Sequence, residues 1–151
     1  MIRIPTSHLG AWKALLRAHT TAVGRIETKL GGRGHIPLVE YDVLLELQNA
    51  PDGKLRMAEL AERVVLSRSG LTRLVDRLEK QGYLQREATP LDRRGTQAVL
   101  TVAGRAALKA AWPVYAEGIR EHFTRFLQED EAQVLTTLLE RIATAPVLVM
   151  K

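Results

Sequence analysis

Three observations predict a mainly α-helical fold with one small β-hairpin. Apolar residues near both ends of the chain recur at alternating three- and four-residue spacings, the period of a helix with one buried face. In the middle, the stretch from Met57 to Gln81 divides into two short helical runs at Leu66-Ser67. Two β-prone runs flanking a polar, arginine-bearing segment follow directly. At 151 residues the chain is long enough for one domain of ordinary size with a real core.

The first helix carries Leu9, Trp12, Leu16, His19, Val23, Ile26 and Leu30 on one stripe, and Gly31-Gly32 can end it. The stripe has heptad character, so it can pack on a partner helix. His35-Ile36-Pro37 opens a second helix, with Pro37 suited to the first turn; its apolar face is Leu38, Tyr41, Leu44, Leu45 and Leu47. Ala50-Pro51-Asp52-Gly53 is a turn that stops it, and Lys54-Leu55-Arg56 forms a very short strand. Met57 to Val65 is a short helix with Leu60, Ala61 and Val64 on one face.

Ser67 is a suitable N-cap for the next helix, Ser69 to Gln81, whose buried stripe is Leu71, Leu74, Val75 and Leu78. Gly82 suits the position just past its end. Tyr83 to Glu87 reads as a strand, Thr89 to Gly95 as a polar loop, and Thr96 to Leu100 as the returning strand. After Thr101, apolar residues from Ala103 through Phe123 and Phe126 predict a long helix, with Pro113 expected to kink it. Glu129-Asp130-Glu131 places acids where a last helix begins, with Leu135, Leu138, Leu139 and Ile142 as its stripe. The chain thus divides into an N-terminal helix (1–36), a central region (37–100) and C-terminal helices (101–151), the two ends pairing with those of a second copy.

Composition narrows the function. The net charge is +5 and the pI about 9.9, which favours polyanionic partners. The absence of cysteine excludes disulfides, thiolate zinc sites and a cysteine nucleophile. His8, His19, His35 and His122 lack ligand spacing, so no metal is expected. Gly31-Gly32-Arg33-Gly34 lacks the Lys-Ser/Thr of a phosphate-binding loop, and no cofactor or catalytic residue is expected. His8 and Lys13 interrupt the N-terminal segment, and no apolar run is long enough to cross a bilayer. The expectation is a cytoplasmic protein that is not an enzyme.

Helix, short turn, helix and hairpin is the order of a winged helix-turn-helix. Opposite its apolar stripe, the Ser69–Gln81 helix presents Ser69, Thr72, Arg73, Asp76, Arg77 and Lys80, with Arg68 at its start. Hydroxyls and amides at a helix start can grip phosphate, and Arg can pair bidentately with guanine. From Lys54 to Gln97, ten cations face six acids, so +4 of the +5 lies there. The plainer account of those charges is a solvated face with local pairs such as Asp76 with Lys80. The hairpin favours DNA: an Arg on a narrow tip, Asp92-Arg93-Arg94-Gly95, can enter a minor groove, with Asp92 anchoring Arg94 or merely stiffening the turn. A wing used for protein contact has no general need of this cation cluster. Arg105 either supports the hairpin base or touches phosphate.

The run from Met57 to Arg63, then Ser67 to Leu84, closely resembles the MarR family of bacterial and archaeal transcription regulators. So does Asp92-Arg93-Arg94-Gly95, followed by Leu100-Thr101 and Ala103-Gly104-Arg105. The resemblance implies a homodimer on a palindromic double-stranded operator, usually acting as a repressor. It assigns Ser67, Arg68, Ser69, Thr72, Arg73 and Arg77 to the groove-reading helix, and Asp92, Arg93 and Arg94 to the wing. Many members release DNA when a small phenolic or anionic effector binds. That site would involve Trp12, Leu16, His19, Tyr41 and Leu45, although core and dimer contacts are the better account of each of these residues taken singly.

Overall fold

A computed structural model describes residues 3–64, 68–89 and 92–146. Among these, the helices are α1 (Thr6–Gly32), α2 (Leu38–Asn49), α3 (Met57–Arg63), α4 (Arg68–Lys80), α5 (Val102–His122) and α6 (Glu129–Ala143). The strands are β1 (Lys54–Arg56), β2 (Leu84–Thr89) and β3 (Asp92–Leu100). The predicted fold class is therefore the observed one. The chain forms two compact units, residues 27–115 and residues 1–26 together with 116–151.

The 27–115 unit has a core of fully buried aliphatic side chains: Leu30, Val43, Leu44, Leu47, Leu60, Leu71, Val75, Leu78 and Leu84. Each comes from a predicted helical stripe except Val43, which α2 also turns inward, and Leu84 of β2. Between α2 and β1, Pro51–Gly53 forms one 3-10 turn in which Asp52 adopts a left-handed conformation, φ 56°. The strands pair antiparallel in the order β1-β3-β2, so the returning hairpin strand is central. Leu55 lies opposite Ala98, and Arg86 also lies opposite Ala98 from the other side.

The hairpin is longer than the sequence pattern predicts. Thr89 closes β2, and Asp92 to Gly95 already belong to β3, so most of the expected polar loop is strand. Asp and Gly are weak strand formers by themselves; the pairing of Thr89 with Asp92 extends the ladder through them. The ladder is irregular after Ala88, which pairs with Thr96 while Thr89 pairs with Asp92. There the Thr89 hydroxyl donates to the Gly95 carbonyl, 3.2 Å.

Helix α4 ends as Gly82 requires. Gly82 has φ 76°, its N–H donates to the Glu79 carbonyl (2.9 Å), and the Tyr83 N–H donates to the Leu78 carbonyl (2.9 Å). This is the paired closure typical of a left-handed C′ residue. Thr101 then ties α5 to that turn. Its hydroxyl donates to the Gly82 carbonyl at 2.6 Å and accepts from the Gly104 N–H at 3.1 Å.

In the other unit, α5 stops at His122 instead of running to Phe126. Phe123 leaves the helical region (φ −140°, ψ −68°), and Thr124–Phe126 forms a 3-10 turn. Helix α6 starts at the predicted acids, where the Gln128 N–H donates to Glu131 Oε2 at 2.9 Å. Pro113, in the part of α5 that belongs to the 27–115 unit, has no N–H and leaves the Lys109 carbonyl without its usual partner. The terminal unit leaves Trp12, Phe126, Val134 and Ile142 more than half exposed, which is a large apolar display for a lone chain.

Candidate nucleic-acid interface

Helix α4 is strongly two-faced. Leu71, Leu74, Val75 and Leu78 are buried, while Ser69, Thr72, Arg73, Asp76, Arg77 and Lys80 are exposed. The polar set read from the sequence therefore lies together on one accessible surface. Ser67 lies outside the described residues, as do the side chains of Arg68, Asp92, Arg93 and Arg94.

The charges on this surface are organised by tertiary partners. Arg86 of β2 reaches two carboxylates of α4. Its Nη2 donates to Asp76 Oδ1 at 2.5 Å and its Nη1 to Glu79 Oε2 at 2.7 Å, while its backbone N–H donates to Glu79 Oε1 at 2.9 Å. The pairing of Asp76 with Lys80 offered by sequence spacing is replaced by this clamp, because a strand cation can face both acids at once. Arg86 thus neutralises the acids of the helix and ties it to the hairpin. Among the described residues, Arg73 and Lys80 have no ion-pair partner, so their charge remains available.

Arg77 is held differently. Its Nε donates to Glu40 Oε1 of α2 at 2.6 Å; the Arg77 side chain is 55% exposed and that of Glu40 only 3%. Glu40 Oε2 is buried without a hydrogen-bond partner. Nothing in the local sequence around Arg77 identifies this partner. The available signal was in α2, where Glu40 lies one helical turn before Leu44 on the buried stripe.

Glu79 has a carboxyl pKa held below the usual range, first by the Arg86 backbone N–H and then by its guanidinium, against an opposing effect of desolvation. A lowered folded-state pKa contributes stability that is complete above the unfolded value of about 4.5 and is lost as pH falls through the folded value. We therefore expect Glu79→Gln to flatten the acid limb of thermal stability against pH below about 4.5, and to leave the temperature-melt profile between pH 6 and 8 parallel to that of the parent. An unchanged acid limb would mean that the clamp does not contribute there.

Of the residues assigned to effector binding, Trp12 and Leu16 are 56% and 46% exposed, and His19 is exposed. Tyr41 is buried and Leu45 half-buried. Tyr41 packs edge-on against Tyr115, with ring centroids 5.0 Å apart, and Trp112 packs edge-on against Tyr115 at 6.1 Å. Burial, then the nearby charge of Asp42, raises the pKa of both tyrosines. Arg105 lies with its guanidinium against Gly53, beside the turn that leads into β1.

An accessible cationic helix, preceded by a short helix and followed by a clamped hairpin, defines the winged helix-turn-helix class. A MarR-family model matches residues 36–95. The multiple antibiotic resistance protein MarR of Escherichia coli is 30% identical over 107 residues, 71% of this chain and 73% of that one. A Bacillus cereus HTH-type transcriptional regulator is 30% identical over 131 residues, 87% of this chain and 85% of its own. The structure of Sco3205, a MarR family transcriptional regulator from Streptomyces coelicolor in complex with DNA, superposes with a TM-score of 0.87 at 30% identity, covering 95% of this chain and 90% of that one. This chain belongs to the MarR family of DNA-binding transcription regulators. Among the described residues, no helix is long and apolar enough to cross a membrane.

Proposed function

We propose that the chain is a repressor that binds a palindromic operator as a homodimer. The observation that carries this reading is the exposed α4 face, with Arg73 unpaired among the described residues and the acids neutralised from the adjoining strand. Residues 1–36 and 101–151 supply the dimer contacts and 37–100 the DNA contacts; the exposed apolar residues of the terminal unit support that division. Half-sites lie about one helical turn apart, ~34 Å. A small phenolic or anionic effector releases the DNA.

Genome-wide footprinting followed by anisotropy titrations tests the proposal. Arg73→Ala is expected to cost about 1–3 kcal/mol and relax preference at one operator position. Arg94→Ala is expected to weaken all sites more evenly, with some loss of preference for A·T-rich flanks; Asp92→Ala is expected to reproduce part of that loss. Equal affinity for operator and random duplex across salt concentrations would overturn the reading. A monomer by light scattering at micromolar concentration would overturn the dimer.

A further inference from the structure

We infer that Glu40 is a specificity-setting residue: from inside the protein, it fixes the Arg77 guanidinium so that the arginine presents a rigid edge to one base. The inference rests on the reading of α4 as the groove-facing helix. Glu40 is placed on α2, not on the reading helix, and its side chain is almost wholly buried. Its Oε1 accepts from Arg77 Nε at 2.6 Å, a short charge-assisted bond.

That choice of atom matters. A guanidinium offers five N–H donors in a planar fork. Binding through Nε alone leaves both terminal amino groups without a protein partner among the described residues, while fixing the plane that contains them. Two parallel N–H donors at a set angle match the O6 and N7 acceptors of guanine. An untethered arginine would have to lose rotamer freedom on each binding event, and it could equally turn to a phosphate. Arg73, on the same face, has no such anchor among the described residues.

Sequence reading alone does not reach this assignment, because Glu40 and Arg77 are 37 positions apart. The buried, unpartnered Oε2 adds weight. A carboxylate is costly to keep inside a protein with half its acceptor capacity unused, and Val43 and Leu44, three and four positions on, are fully buried. A residue serving only the core would be better replaced by leucine.

The test compares wild type, Glu40→Leu, Glu40→Gln and Arg73→Ala by anisotropy on the footprinted operator, on a set with each half-site position substituted, and on random duplex, across salt. Thermal melts of each variant establish that it is folded. Glu40→Leu removes the anchor without leaving a buried charge and is expected to reduce discrimination at one half-site position about tenfold. Its affinity for random duplex and its salt slope are expected to match wild type. Glu40→Gln keeps an acceptor for Nε and is expected to retain most of the discrimination.

If Glu40→Leu is folded and discriminates as wild type does, or weakens every duplex evenly, the positioning role is overturned. Should Glu40→Leu fail to fold, Glu40→Met decides, since it too removes the acceptor: discrimination lost at one position with an unchanged melt supports the anchor, and wild-type discrimination counts against the proposal. Arg73→Ala separates the two levels. If it too leaves operator binding untouched, the groove-facing assignment of α4 has failed; if it alone weakens binding, only the role of Glu40 has.

Discussion

Gly104→Ala is expected to destabilise the protein by about 3 kcal/mol or more, a large effect for one added methyl group. Gly104 lies in the first turn of α5, where the helix crosses the turn that ends α4. A Cβ there would overlap the Tyr83 carbonyl oxygen and lie 2.7 Å from Leu100 Cδ1. The carbonyl is backbone, already accepts from the Thr101 N–H at 3.2 Å, and cannot rotate away. Relief requires α5 to lift, which would break that bond and the Thr101 hydroxyl contact with Gly82. A fall in melting temperature of about 10 °C or more is the expected reading. Gly31→Ala is the matched control: it is helical, and an added Cβ meets nothing within 4 Å. It is expected to be neutral or up to about 1 kcal/mol stabilising. Equal melts for the two variants would show that the close approach at Gly104 is not a constraint.

Arg86→Ala is expected to lower operator affinity about 30-fold while costing only about 1–2 kcal/mol of stability. The stability cost is small because the clamp is partly exposed: the Arg86 side chain is 26% accessible and those of Asp76 and Glu79 are 50% and 37%. The DNA effect is larger because two carboxylates would face the phosphates without a counter-charge. Each repels a phosphate by about 1 kcal/mol at close range in water. Arg86→Lys should recover only part, since an ammonium lacks the planar fork that serves two acids together. Adding Asp76→Asn and Glu79→Gln to Arg86→Ala should restore affinity but not the lost stability. An Arg86→Ala protein that binds the operator like wild type would show that the acids of α4 do not face the DNA.

Much of the fold was legible because its helices bury one face against a common core, and that leaves a period in the sequence. Leu71, Leu74, Val75 and Leu78 announce α4 and, by elimination, its polar surface. Less legible was anything set by a partner far along the chain. Asp92 to Gly95 look like loop residues, yet a neighbouring strand makes them strand. Asp76 has a plausible partner four positions on, but Arg86 can reach both Asp76 and Glu79 from the hairpin and displaces it. Glu40 drew no notice because periodicity weighs apolar residues and is silent about a charge on their stripe. Phe123 and Phe126 continued the apolar pattern of α5 although the backbone had already turned, since a 3-10 turn keeps nearly the same spacing.

The place of β3 at the centre of the sheet has a kinetic consequence. The hairpin of β2 and β3 is local and can form in about 1–10 μs. The pairing of Leu55 with Ala98 joins residues 43 positions apart, and it closes a loop that contains α3, α4 and β2. By the usual logarithmic law each doubling of such a loop adds only about 0.6 kcal/mol. Extra residues at the hairpin tip should therefore be tolerated over evolutionary time with little loss of folding free energy. The three residues of β1 have no such latitude, because they are the latch of the loop. The reading helix would reach its working position only when that latch shuts.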